Sequence, residues 1–459
     1  MQLRSTCFFC LFVLCPGLLL VSARGADADE IGQILKQAIE SRRSVGIVIG
    51  LVDVNGPKIF SAGTTARGGR EVDGNTVFEI GPVTMIFTAT LLADMIERGE
   101  VHPSDPLMIY LPPPVRVPGW GRRDITLIDL ATHGSGLPRL PTNFSPADNA
   151  NPYANYTIAK LYEFLSGYKL SSGIGERYEY SGLGYALLAH ILALRLEKDY
   201  ESIVKSRILN PLGMSRTAVT LSPEMKSSLA TGHNFLLQPA ANWDMTSFAG
   251  AAGLHSTVND LLIFVAAHLG LRKSPLAAAL ERTQQTLSPT NTRDIQIGLG
   301  WHVIKTFDAE VWQENGGTGG YNCFMGFERK KGLGVVILSN CSANIGDVGI
   351  HLLNPRFPLA PYVPPKERKE IRLNPNVLNS YVGEYQMANK VIFVISKERD
   401  ALFLEGTWQP KVRLHPESET EFFIAEYDAQ ISFVNNAEGK ITHLIMHQRG
   451  QNAKADKIR

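Results

Sequence analysis

Between Asp29 and Arg42, apolar residues fall at Ile31, Ile34, Leu35, Ala38 and Ile39, the i, i+3, i+4 spacing of one helix face. The period then changes. VGIVIGLVDV (45–54) is rich in β-branched residues, Asn55-Gly56 is a hairpin turn signal, and KIFSAG returns. A second helix is predicted from Pro82 to Arg98, with Val83, Ile86, Phe87, Thr90, Leu91 and Ile96 on related faces. Pro82 suits the first turn, where its missing N–H would have no partner anyway, and Gly99 suits the stop. Helical spacing recurs near 128–132, 158–165, 183–194 and 259–269. Strand-like runs follow at 299–304, 320–327 and 334–338, before a helical stretch at 345–353. Strands at both ends with helices between them predict an α+β unit whose sheet joins its two ends.

Residues 355–370 hold five prolines and then charge, so 355–371 reads as an extended linker. Beyond it, short β-type runs at 378–385, 391–395, 401–404, 412–415, 421–424, 431–434 and 441–447 are separated by polar turns. Seven strands in this stretch predict a small barrel or sandwich over 372–459.

Length and charge narrow the function classes. A chain of 459 residues suggests two or three domains, and 44% hydrophobic residues exclude a disordered chain. With 45 Lys+Arg against 44 Asp+Glu, no global field attracts nucleic acid. The first 23 residues have a basic start at Arg4, an apolar run to about Val21 and a small-residue exit at Ala23, the pattern of a cleaved signal peptide. The main unit is then 27–354, in a protein expected to be secreted or periplasmic. No later stretch is apolar for long enough to span a membrane. Cys7, Cys10 and Cys15 would leave with the signal. Cys323 and Cys341 flank a predicted hairpin turning near Lys331-Gly332, where either a disulfide or two buried thiols is possible.

The segments Val77–Val101, Ile125–Pro138 and Gly175–Leu192 resemble the serine β-lactamase and penicillin-binding-protein-like hydrolases, in the class C, D-alanyl-D-alanine carboxypeptidase and esterase branch. NPLGM (210–214), Ala249–Phe264 and GLGW…ENGGTGGY (298–321) agree in the same order. The resemblance implies an antiparallel sheet flanked by helices with an all-helical subdomain. It also implies three catalytic motifs, and each is altered here.

The first motif, S-x-x-K, pairs a nucleophilic serine with a lysine that helps remove its proton. Its positions hold Pro82 and Met85. Proline also lacks the N–H that the serine position gives to the oxyanion hole, and losing one such donor costs roughly 10²–10³ in rate. The second motif, Tyr-x-Asn, is Tyr180-Ser181-Gly182, with the amide replaced by hydrogen. Tyr180 reads as a packing residue ahead of a catalytic one. The third motif, Lys-Thr-Gly or His-x-Gly, is Glu314-Asn315-Gly316. A carboxylate there repels an anionic substrate, at a cost on the order of several kcal/mol at ~4 Å. Gly316, Gly317, Gly319 and Gly320 allow close approach of a ligand or flat packing of the strand, with equal weight.

These substitutions favour a pseudo-hydrolase that keeps a ligand cleft, with Tyr180, Ser181, Glu314, Asn315, Gly316, Gly317 and Thr318 as its candidate lining. The expected ligand is a peptide, a cell-wall fragment or a small ester or amide. One alternative is residual hydrolysis by water activated by Glu314 near Tyr180; another is a binding role for the C-terminal β domain. His133 and His255 read as isolated structural histidines, and no metal or cofactor is expected. Asn143, Asn155 and Asn340 fit the glycosylation acceptor pattern.

Overall fold

Continuous apolar character in Gly46–Asp53 follows from cover on both faces of the sheet. In the computed structural model, residues 27–285, 287–306, 309–362, 368–388, 391–406, 411–425, 429–448 and 451–459 are described. Residues 1–23, expected to be a signal peptide, lie outside them, as do residues 363–367 of the expected linker. The strand Gly46–Asp53 pairs antiparallel with Gly56–Gly63 on one side and Leu333–Ser339 on the other. Ile47, Ile49 and Leu51 join a core with Ile31, Ile34 and Leu35 of helix Ala28–Glu40 and Val348 and Leu352 of helix Gly346–Leu353. Val48 and Val52 face the other way, into the core that contains helix Val258–His268. Gly50 makes room for that helix: a Cβ there would stand 2.4 Å from Val258 Cγ1.

The sheet has eight antiparallel strands. Outward from Leu333–Ser339 run Asn322–Glu328, Glu310–Gly317, His302–Lys305, Ile295–Ile297 and Ser288–Pro289. The first and last segments of the unit are thus neighbours, as the sequence pattern implied. Helix Thr84–Glu97 is buried from Thr84 to Met95 and mostly apolar, the composition of a central helix. It shares its core with helices Leu127–Ala131, Ile158–Gly167 and Gly182–Leu196. Its expected first turn at Pro82 is a 3₁₀ turn, Gly81–Val83, and Gly99 ends it in the left-handed region at φ +68°.

Three details depart from the sequence reading. The strand expected at 299–304 begins at His302, because Gly298 N–H closes a turn onto the Trp301 carbonyl. The run 378–385 splits into a short helix, Pro375–Leu378, and a strand, Gly383–Met387. An eighth strand, Gln451–Lys457, pairs with both Ile441–Gln448 and Gly383–Met387. It closes the C-terminal unit, which is a barrel and not a sandwich. Tyr385, Phe393, Leu404, Phe422, Phe433 and Leu444 pack inside it.

The possible Cys323–Cys341 disulfide is corrected. The hairpin register sets Leu338 opposite Cys323, and both thiols are free and buried. Cys341 lies past the strand end and donates to the Asn234 carbonyl at 3.4 Å. Asn340 is also withdrawn as a glycan acceptor. It is fully buried, accepts from Gly46 N–H and donates to the Thr64 and Thr65 carbonyls.

Deleting residues 451–459 should open the barrel while sparing the sheet domain, because that strand supplies two of the eight pairings. Limited proteolysis of the truncated chain should digest the barrel and leave a resistant fragment covering about 27–354. Equal resistance of the barrel in both chains would contradict this closure.

Candidate functional site

The first motif is held by backbone contact. Gly81 has φ +50°, a conformation that favours glycine. A Cβ there would lie 2.9 Å from Gly317 N. On the facing strand, a Cβ on Gly316 would lie 2.0 Å from the Ile80 carbonyl oxygen. The entry to helix Thr84–Glu97 therefore sits directly on strand Glu310–Gly317. Pro82 occupies the start of the 3₁₀ turn, and Met85, at 3% exposure, points into the core.

The second motif faces Met85. Tyr180 donates its hydroxyl to Met85 Sδ at 3.7 Å, a weak acceptor. Ser181 caps helix Gly182–Leu196. Its Oγ accepts from Gly184 N–H at 2.8 Å and donates to the Pro138 carbonyl at 2.7 Å. Its own N–H donates to His133 Nδ1 at 3.0 Å. Ser181 is fully buried and is a cap, so it is removed from the candidate cleft lining.

The third motif is where the structure adds most. Glu314 Oε2 accepts from His302 Nδ1 at 2.6 Å, and His302 Nε2 is bonded to the Tyr178 hydroxyl at 2.6 Å. The two strands are adjacent, with His302 registered on Gln313. Around this chain stand His133, with its ring 4.7 Å from that of Tyr180 and 5.5 Å from that of Tyr178, and Tyr185 beyond it. Arg139 is exposed and lies 5.4 Å over the Tyr180 ring. His133 is thus not isolated, although it is buried and structurally employed; His255 pairs with Glu79 in a short two-stranded sheet.

Burial lowers the pKa of His302, but the charge of Glu314 and its hydrogen bond more than offset this, so His302 is raised above its ordinary range. Burial holds Tyr180 well above its ordinary range, and the nearby Glu314 charge adds to this against Arg139. Tyr180 is therefore a neutral phenol, not a base. His133 is held far below its usual value, by burial first and then by His302, and is neutral.

Among the other candidates, Asn315 is turned to the opposite face of the sheet, with Gly346 against its Oδ1 and Gln313 accepting its amide. Thr318 is buried. Gly316 packs on Ile80, Gly319 on Trp243 and Gly320 on Gly232, so these glycines serve packing. Gly317 is exposed. Tyr180, Glu314 and Gly317 remain at the site, joined by Tyr178 and His302, which the motif reading passed over. Two signals pointed to them. Tyr178 and Tyr180 are two apart on extended chain and share a face, and His302 directly follows GLGW. The pairing of Glu314 with water and Tyr180 is also revised, since Oε2 is engaged by His302.

Comparison with known proteins now fits this geometry. The profile of the family described as Beta-lactamase matches residues 31–354. The chain belongs to that family. A Domain of unknown function (DUF3471) matches residues 367–456, the region of the barrel. The D-alanyl-D-alanine-carboxypeptidase/endopeptidase AmpH of Escherichia coli (strain K12) is 27% identical over 310 residues, covering 64% of this chain and 79% of that protein. Penicillin-binding protein 4* of Bacillus subtilis (strain 168) is 26% identical over 416 residues, covering 84% and 88%. The octameric penicillin-binding protein homologue from Pyrococcus abyssi shares the fold, with TM-score 0.64 at 18% identity, over 94% of this chain and 100% of that one. A class C β-lactamase from Rhodobacter sphaeroides gives 0.59 at 23%, over 68% and 93%. As a β-lactamase-family chain, this protein carries Pro82, Met85, Tyr180 and Glu314 at the positions that the resemblance assigns to the three motifs.

Histidines kept neutral in the native state set an acid limit on this scaffold. Burial lowers His255 to about 4 and His268 to about 3, from 6.5. The native state keeps them neutral while the unfolded chain takes up protons, so their stability contribution is complete above about pH 6.5 and is lost as pH falls toward 4 and 3. The melting temperature should drop between about pH 7 and about pH 5. The drop should be smaller in His255→Gln; an unchanged slope would exclude His255 as a contributor.

Proposed function

We propose that this chain is an exported pseudo-hydrolase: it has lost the serine acylation of its family and uses the inherited site to bind a ligand. The observation that carries the reading is the contact of Tyr180 with Met85. A tyrosine that assists proton transfer needs a cationic or basic partner, and a thioether is neither. Pro82 adds the loss of both the nucleophile and its oxyanion N–H. The relative named as a D-alanyl-D-alanine carboxypeptidase/endopeptidase supports a peptide or cell-wall fragment as ligand, with small esters and amides as further candidates. Export rests on the signal-like first 23 residues. No helix among the described residues is long and apolar enough to cross a membrane.

A penicillin-type acylating probe should leave the purified protein unlabelled by intact mass; stoichiometric labelling would sink the reading. Changing Pro82→Ser and Met85→Lys together with Gly182→Asn and Glu314→His should then restore labelling, because the backbone seat between Gly81 and Gly317 is already in place.

A further inference from the structure

We propose that Tyr178, His302 and Glu314 form a nucleophile–base–orienter triad that takes the acyl group of a carboxylic ester onto the Tyr178 oxygen. This goes beyond the binding role and uses a different mechanism from the lost serine route. A carboxylate only accepts, so the 2.6 Å contact places a proton on His302 Nδ1; in the neutral imidazole Nε2 then accepts from the Tyr178 hydroxyl, also at 2.6 Å. That is the arrangement of a nucleophile, its base and an orienter: a hydroxyl on an imidazole, and the imidazole held by a third group. Burial and then the Glu314 charge raise the Tyr178 pKa, so its proton passes to His302 only as the bond to the acyl carbon forms. Exposure runs in the order such a unit needs. Glu314 is buried, whereas His302 and Tyr178 are partly exposed.

The neighbouring groups are consistent with one direction of proton flow. His133, Tyr180 and Tyr185 surround the unit in neutral form, and Arg139 lies outside over Tyr180. Asn291 fixes the Tyr178 backbone by donating to its carbonyl at 2.8 Å. A second tyrosine–histidine bond, Tyr162 to His190 at 2.6 Å, serves as an internal comparison, because among the described residues no carboxylate is bonded to that imidazole.

The step balances within these groups. Tyr178 O–H gives its proton to His302 Nε2 as the oxygen attacks the ester carbonyl. The bond to the leaving oxygen breaks, and that oxygen takes the proton from His302 and departs as an alcohol or phenol. Water then attacks the acyl-tyrosine through the same imidazole, releasing a carboxylic acid and restoring the Tyr178 hydroxyl. The leaving group must be at least as acidic as a phenol, so the substrate class is aryl or similarly activated esters, not peptide amides.

The test uses the full chain and a short-chain 4-nitrophenyl ester. Intact mass should show one acyl adduct, and tandem mass spectrometry should place it on Tyr178 within the tryptic peptide 178–195. Tyr178→Phe, which keeps the ring, should remove it. His302→Gln should slow acylation roughly 10²–10⁴-fold, the scale of a lost general base. Tyr162→Phe should change nothing. Acylation should fall as acid protonates His302, and in Glu314→Gln this fall should move to lower pH because the charge that raises His302 is gone. The pH shift separates positioning by Glu314 from a merely structural role, and it serves where His302→Gln does not fold. An adduct on another residue, a rate unmoved by Tyr178→Phe, or no adduct on folded protein overturns the proposal.

Discussion

The contact between the turn at Ile80–Gly81 and the strand end at Gly316–Gly317 governs this molecule. Here two backbones meet with no room for a Cβ on either side. The start of the central helix is thereby fixed against the sheet, and the first and third motif positions are fixed against each other. None of this depends on the side chains at those positions. Proline is compatible with a turn whose first N–H groups have no helical partner, and methionine fills the space a longer cation would occupy. On the proposed reading, the geometry of the family outlasts its mechanism.

Charge tells a different story from packing. With Met85 in place of a cation, a carboxylate at 314 would be a buried anion without an opposite charge, which is costly. The adjacent strand supplies the answer in His302, which reaches the carboxylate across one register step. The hydrogen bond satisfies the carboxylate on the floor of the site, while an exposed cation, Arg139, sits over the Tyr180 ring. A site of this kind no longer attracts an anion from within, and its tyrosine is held as a phenol by both burial and the carboxylate.

Much of this was legible where local pattern and global fold agree. Helix Thr84–Glu97 is buried as far as Met95 and strand Gly46–Asp53 as far as Val52, and both read as predominantly apolar runs. Strand Glu310–Gly317 eluded the pattern because Gln313, Glu314 and Asn315 interrupt it with polar side chains: Glu314 bonds His302 on the next strand, and the Asn315 amide donates to Gln313 on the same face. The closing strand Gln451–Lys457 is mostly polar and gains its place from pairing on both edges. Register was equally invisible: spacing allowed Cys323 and Cys341 to face each other, but the strands pair Cys323 with Leu338. The His302–Glu314 contact joins two strands in the same way, which no motif spacing encodes.

The altered positions do not all point in one direction. Replacing a buried lysine with Met85 removes a desolvation cost, and Pro82 stiffens a turn, so both are changes that relaxation toward stability favours once catalysis is dispensable. Glu314 is the opposite case. Burying a carboxylate beside a histidine brings no clear gain over an apolar pair of similar size, and breaking either partner leaves an unsatisfied charge. Drift toward stability accounts for Pro82 and Met85 but not for a hydrogen-bonded Glu314–His302–Tyr178 chain with its outer end partly exposed. On the proposed loss of the serine mechanism, this hydrogen-bonded chain is left unexplained, and it is where a present function is to be sought.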